Sequence, residues 1–197
     1  MKSFKLGLKL PTDPRWVNIA EKNIEEILID HAYCEQKAAS SCISLIVQYP
    51  EKTKLVNDLT PIVAEEWNHF ERVLGELKKR GFKLGNQRAD VYVKALNSIS
   101  IKGGSRDTQL LEKLLINALI EARSCERFRL LWKNLKDKDL GQFYYELMIS
   151  EAGHYRNFLS LAKHYTVEEK VNARWNELLE LEAEIMKSMK PRADRMH

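Results

Sequence analysis

The stretch EEWNHF, residues 65–70, sets a carboxylate and an imidazole three apart, Glu66 and His69, in a run whose apolar residues recur at helical spacing. Burying such groups costs free energy unless something offsets the loss of water. For a single Glu-x-x-His the plain reading is an ion pair on a half-exposed helix face. The pattern returns in SEAGHY, residues 150–155, as Glu151 and His154. Residues three apart lie on one face about one turn apart, so each motif aims a carboxylate and an imidazole at one point.

Outward from these motifs the chain reads as long helices. Asp13 is a good N-cap and Pro14 fits the first helical position. From Trp16 to about Gln48 there is no Gly or Pro, and Ile24, Leu28, Ala32, Ala39, Cys42 and Ile46 keep helical spacing. Tyr49-Pro50 breaks this helix. A second runs to about Arg80, with a kink point at Pro61 and a stop at Gly81. Residues 81–106 are the one long connection, holding a short helical stretch, ADVYVKALNS, and the KGGS turn at 102–105. Asp107 caps a third helix to about Asn134. Asp137 or Asp139 opens a fourth, to about His164. Thr166 and Glu169 form a capping box for a fifth, about 167–189, followed by a polar tail, 190–197, expected on the surface. No segment alternates as a strand does. Two helical hairpins joined by one long connection predict an all-α, ferritin-like four-helix bundle with an additional C-terminal helix. The expectation is one domain over 1–197, its core bundle spanning about 13–164.

A metal centre among four helices also needs carboxylates from the other two. In the first helix Glu35 shares the stripe Leu28, His31, Ala32, Ala39, Cys42. In a short antiparallel hairpin, residues at equal depth are equidistant from the turn; the midpoint of Glu35 and Glu66 falls beside Tyr49-Pro50. The third helix offers Glu121 and Glu126. Glu121 lies on the stripe Leu114, Ala118, Cys125, Phe128, Trp132, and its midpoint with Glu151 falls in the next turn. Glu126 shares a face with Arg129 and Lys133, which reads as a solvated edge. The separations also match, 31 residues from Glu35 to Glu66 and 30 from Glu121 to Glu151. Against this, YCEQK around Glu35 resembles SCERF around Glu126. Depth and facing favour Glu121. Glu35, Glu66, His69, Glu121, Glu151 and His154 make four carboxylates and two imidazoles, the ligand set of a di-iron or di-manganese bundle. The carboxylates neutralise two divalent ions, and two nitrogen ligands leave positions open for oxygen. Glu66 and Glu151, which open the two motifs, are the expected catalytic carboxylates.

Composition sets the limits. With 44% hydrophobic and 30% charged residues the chain is neither disordered nor membrane-spanning, and only 8 Gly and 5 Pro suit long helices. A net charge of +4 permits an anionic partner without specifying one. Cys34, Cys42 and Cys125 form no CxxC pair and read as buried thiols of a cytoplasmic protein. MKSFKLGLKLP has no apolar run of the kind a signal peptide carries. His31, one turn before Glu35, is either a group that hydrogen-bonds a ligand carboxylate or a core histidine. Asp30 reads as a surface residue, with orientation of a ligand histidine as the other reading. Tyr33, Tyr145 and the tryptophans Trp16, Trp67, Trp132 and Trp175 read as packing. His164 and His197 carry no partner pattern. Lys187, Lys190, Arg192 and Arg195 read as a solvated basic tail, with phosphate gripping as the other reading.

LPTDPRW at 10–16, ILIDHAYCEQKAA at 27–39, EEWNHFERVL at 65–74, LIEARSCERF at 119–128 and SEAGHY at 150–155 together resemble the MiaE family, tRNA 2-methylthio-isopentenyl-adenosine hydroxylases of the ferritin-like di-iron superfamily. The resemblance runs from about residue 8 to the DRMH end. It implies a non-haem di-iron monooxygenase that uses O2, draws electrons from an external donor (a ferredoxin or a reductase), and hydroxylates the isopentenyl side chain of the modified adenosine beside the anticodon of tRNA. It carries ligand positions onto Glu35, Glu66, His69, Glu151 and His154, and does not choose between Glu121 and Glu126. Ala38, Ala39, Ala118, Leu119 and Ala122 would leave room for an isoprenoid group, and an anticodon stem-loop would suit the mild positive charge. A rubrerythrin-like or other ferritin-like oxidase, peroxidase or iron-binding protein would share the ligands without RNA. No CxxC pair of the rubredoxin type is present to serve the first of these.

Overall fold

The computed structural model describes residues 6–196; Met1–Lys5, part of the stretch read as lacking a leader, and His197 of the tail lie outside the described residues. Those residues form seven α-helices and no strand. They gather into two compact units: residues 15–89 with Arg192–Met196, and residues 6–14 with 90–191.

In the first unit, α1 (Arg15–Glu21) and α2 (Ile24–Gln48) replace the single helix expected from Pro14 to Gln48. The break is at Asn23, whose backbone leaves the helical region (φ −136°, ψ 41°). Its side-chain amide donates to the Ile19 carbonyl at 2.8 Å and its backbone N–H to Ala20 at 2.9 Å. A short amide competes with the helical ladder in this way, and neither Gly nor Pro is needed. α3 (Thr53–Lys79) runs through Pro61 and keeps one buried stripe: Leu55, Leu59, Ile62, Glu66, His69, Val73, Leu77. The four-three spacing makes that row the core face, and a Glu and a His occupy two of its positions. α3 ends as its sequence dictates. Gly81 takes φ +76°, its N–H reaches Lys78 O at 3.1 Å, and Phe82 N–H reaches back to Leu77 O at 3.0 Å, the paired bonds of a Schellman stop.

The tail does not lie free on the surface. Met196 is fully buried, and its N–H donates to Asp30 Oδ2 at 2.7 Å. Arg195 Nη1 stands 3.7 Å from Asp30 Oδ1, and Trp16 Nε1 donates to the Arg195 carbonyl at 3.4 Å. Asp30 is therefore buried rather than exposed, its charge met by a backbone N–H and a guanidinium. Arg192 pairs with Asp194 at 2.9 Å and holds that carboxyl below its ordinary range. Lys187 pairs with Glu184 at 2.5 Å, so three of the four cations of the expected basic run are matched by carboxylates.

The second unit holds α4 (Val91–Ile99), α5 (Arg106–Asn134), α6 (Lys138–Tyr165) and α7 (Glu168–Ser188). Ser105, not Asp107, caps α5, accepting from Thr108 N–H at 3.1 Å; Gly103 and Gly104 before it take positive φ. Asp137 caps α6, accepting from Leu140 N–H at 3.0 Å. The capping box expected at Thr166 does not form. Thr166 closes α6 instead, donating its N–H to Ala162 at 3.0 Å, and α7 starts after Val167 with no side-chain cap.

α5 is buried on two faces. One carries Leu111, Leu114, Ala118, Glu121, Cys125 and Phe128, with Phe128 against Tyr144 of α6 at 5.4 Å between ring centres. The other carries Glu112, Leu119, Arg123 and Glu126 toward α7 and the LPTDP segment. Arg123 donates to both oxygens of Glu182 at 2.7 and 2.9 Å, to Glu126 at 2.6 Å and to the Leu10 carbonyl at 3.0 Å. Glu126 also accepts from Thr12 N–H at 2.8 Å and Thr12 Oγ1 at 2.6 Å. A second pair, Arg174 with Glu112 at 2.8 Å, lies farther along the same two helices. Glu126 is thus no solvated edge: it is a buried acceptor that fastens residues 10–12 to α5.

Two sets of variants test these assignments. Gly75 on α3 has open space where a Cβ would stand, whereas a Cβ on Gly141 would lie 3.2 Å from the Trp132 carbonyl oxygen. Gly75→Ala is expected to stabilise by ~1 kcal/mol through helix propensity. Gly141→Ala is expected to destabilise by ~1–3 kcal/mol through overpacking against backbone. Thermal melts read the opposite signs. Arg123→Met is expected to cost ~3–5 kcal/mol in chemical denaturation, because it strands the Glu182 charge; Arg123→Met with Glu182→Leu is expected to cost less than Arg123→Met alone.

Candidate metal centre

The stripes of α2, α3, α5 and α6 that face their hairpin partners are apolar except where they carry His31 and the six candidates Glu35, Glu66, His69, Glu121, Glu151 and His154, all of them buried. In the first unit, Glu35 of α2 with Glu66 and His69 of α3 bring one ligand atom each to within 4.8 Å of the others. His69 Nδ1 stands 3.4 Å from Glu66 Oε2 and 3.5 Å from Glu35 Oε2. In the second, Glu121 of α5 with Glu151 and His154 of α6 do the same, with His154 Nδ1 3.4 Å from Glu151 Oε2.

These separations are informative. A nitrogen and an oxygen that hydrogen-bond stand ~2.7–3.2 Å apart. Two donors that share one ion at bonds of ~2.1 Å, in a tetrahedral arrangement, stand about 3.4 Å apart. Each trio offers two carboxylates and one imidazole and contains no Lys or Arg. That chemistry suits a divalent metal such as iron or manganese.

His31 is fully buried, and its Nε2 lies 2.6 Å from Glu35 Oε1, which leaves Oε2 as the oxygen that approaches His69. Of the two readings of His31, the structure thus supplies the hydrogen bond to the Glu35 carboxylate. Glu121, not Glu126, joins the trio of the second unit; the local match between YCEQK and SCERF points to a carboxylate already committed to Arg123 and Thr12. Arg123, Glu182 and Thr12 went unread in the sequence. The one available signal was the arginine three residues before Glu126, within hydrogen-bonding reach on the same face.

Ala39, Ala118, Leu119 and Ala122 are buried and Ala38 is half-buried. Cys42 and Cys125 are buried thiols, whereas Cys34 is half-buried, its Sγ 3.9 Å from Asp30 Oδ2. Burial, aided by the nearby Glu151 charge, pushes the Cys125 thiol up to about 12, so it stays protonated and inert at neutral pH. Trp67 does not pack in the core. It is 46% exposed beside the buried Glu66, with its ring 5.1 Å from Phe70. No helix among the described residues is long and apolar enough to cross a membrane.

Known proteins match this arrangement. A solved structure from Synechococcus, described as protein 43 with aldehyde deformylating oxygenase activity, superimposes with a TM-score of 0.91 at 34% identity, covering 96% of this chain and 94% of that one. The chain therefore has the all-α, ferritin-like four-helix-bundle fold. A tRNA 2-(methylsulfanyl)-N(6)-isopentenyladenosine(37) hydroxylase of Pseudomonas putida is 40% identical over 158 residues, 80% of this chain and 76% of that protein. The hydroxylase of the same description from Salmonella typhimurium is 27% identical over 92% of this chain and 84% of that protein. The family model for tRNA-(MS[2]IO[6]A)-hydroxylase (MiaE) matches residues 2–197, so the chain belongs to that family.

Proposed function

We propose that this protein is a tRNA hydroxylase, a non-haem di-iron monooxygenase that adds one oxygen atom to the isopentenyl side chain of 2-methylthio-isopentenyl-adenosine beside the anticodon. The carrying observation is the pair of buried trios, Glu35–Glu66–His69 and Glu121–Glu151–His154, in a chain matched throughout by the MiaE family. Counted over the chain, the six donors are four carboxylates and two imidazoles, the donor set by which a carboxylate bundle holds two divalent ions.

Two irons bound there supply O2 reduction and the insertion of one oxygen atom into an unactivated C–H bond. Electrons come from a ferredoxin or a reductase. The chain's own residues set the conditions. Glu66 and Glu151, each 2% exposed or less, are the carboxylates at the reacting centre. His31 holds Glu35 through one oxygen and so fixes the orientation of the other. Ala39 on α2, and Ala118 and Ala122 on α5, are small buried side chains on the donor-bearing helices, which suits an isoprenoid group. A substrate carried on tRNA places the enzyme in the cytoplasm.

The decisive experiment incubates iron-loaded protein with reductant, O2 and tRNA bearing the unhydroxylated nucleoside, followed by digestion and nucleoside mass spectrometry. The expected result is a gain of one oxygen atom on that nucleoside, absent in Glu66→Ala. Two irons bound and O2 consumed with no gain on the nucleoside would remove the RNA substrate and favour a rubrerythrin-like oxidase. His31→Ala is expected to weaken iron binding ~10–100-fold, read by competition with a chelator, with the helical circular dichroism retained.

A further inference from the structure

At the turn between α5 and α6, Trp132, Lys133, Lys138, Gly141 and Gln142 line an open pocket of ≈ 440 Å³. None of them belongs to either trio. Trp132 rests against Tyr145 with ring centres 4.6 Å apart, and Lys133 Nζ lies 5.9 Å from the centre of the Trp132 ring. Lys138 Nζ donates to the Leu135 carbonyl at 2.9 Å, a neutral acceptor that leaves its charge uncancelled. No carboxylate among the described residues pairs with either ammonium. Gly141 keeps the two helices close at this point, since a Cβ there would stand 3.2 Å from the Trp132 carbonyl oxygen.

We propose that this pocket is an RNA-docking site, separate from the metal centre, that seats one phosphodiester between Lys133 and Lys138 and the adjoining nucleoside against Trp132. Two unmatched ammonium groups suit the charge of a phosphodiester. An aromatic wall suits the face of any base or the edge of a ribose. The volume falls within the range of ordinary ligand sites. A purely acidic protein partner would use the lysines and leave the tryptophan without a role. The choice of RNA rests on the tRNA-hydroxylase reading, and the test separates the two.

Binding of a fluorescently labelled anticodon stem-loop RNA to the metal-loaded, full-length protein is measured by anisotropy across a salt series, alongside turnover on full tRNA. Lys133→Glu and Lys138→Glu are each expected to weaken binding at least tenfold, to lower the salt dependence by about one unit of slope, and to raise KM for tRNA. Trp132→Leu is expected to weaken binding with the salt slope unchanged. Lys170→Glu, the same charge change on α7, is expected to alter affinity less than threefold. Melting temperature and iron content report whether each variant is intact. Unchanged affinity in Lys133→Glu and Lys138→Glu, or a loss equal to that of Lys170→Glu, overturns the pocket, as does wild-type protein that binds no RNA. Wild-type binding that depends on both lysines, without hydroxylation, supports the pocket and removes the hydroxylase reading. Hydroxylation with unchanged KM in both variants does the reverse.

Discussion

Everything here turns on the cost of placing ionisable groups where a helix is meant to be apolar. The interior meets that cost in two ways. Toward α7, the carboxylates of Glu182 and Glu126 face Arg123 and the nearby buried Arg127, and Glu112 faces Arg174, so carboxylates and guanidiniums match one for one. In the trios the carboxylates outnumber any cation the side chains supply. Glu35 with Glu66, and Glu121 with Glu151, stand beside imidazoles and share their trios with no Lys or Arg, a donor set that suits a divalent ion. The helices thus carry an arrangement matched by arginine, which fastens them, and one of carboxylates and imidazoles, which suits an ion. The difference lies in the presence of arginine.

The arginine-matched arrangement serves the other. Glu121 lies five residues before Glu126 on α5, and the orientation of α5 is held by Arg123 and Glu126 through α7 and residues 10–12. On α2, Asp30 is tied to Met196 and Arg195, while its neighbour His31 reaches Glu35. In both units the donor trio sits next to a polar anchor that locks the rotation of the helix bearing it. Such support is what a metal site needs if its donors are to hold position without the ion.

The fold class and all six candidate donors were legible in the sequence, because each donor interrupts a regular apolar stripe, and an interruption of that kind is visible to counting. Glu121 could be preferred to Glu126 because hairpin depth is arithmetic. The sequence misled where polar residues compete with backbone. Asn23 splits a helix without Gly or Pro, and Thr166 ends α6 rather than starting α7. It also misled where a helix is buried on two faces, because the second face of α5 mixes Glu112, Arg123 and Glu126 with leucines and reads as solvated. Asp30 and the tail looked polar for the same reason. Their partners lie more than 160 residues apart, and no local pattern announces them. Trp67 failed in the other direction, an apolar residue whose position on α3 carries it to the surface.

The bond between Asp30 and Met196 spans 166 residues, whereas each trio is closed within one hairpin. Closing a contact between residues distant in sequence costs more chain entropy than closing a near one. Each trio is closed by its own hairpin turn, whereas the tail is a latch laid on α2 from the far end of the chain. A chain nicked or shortened near residue 191 would keep both hairpins and their donors but lose the Met196 N–H and the Arg195 guanidinium that meet the Asp30 charge.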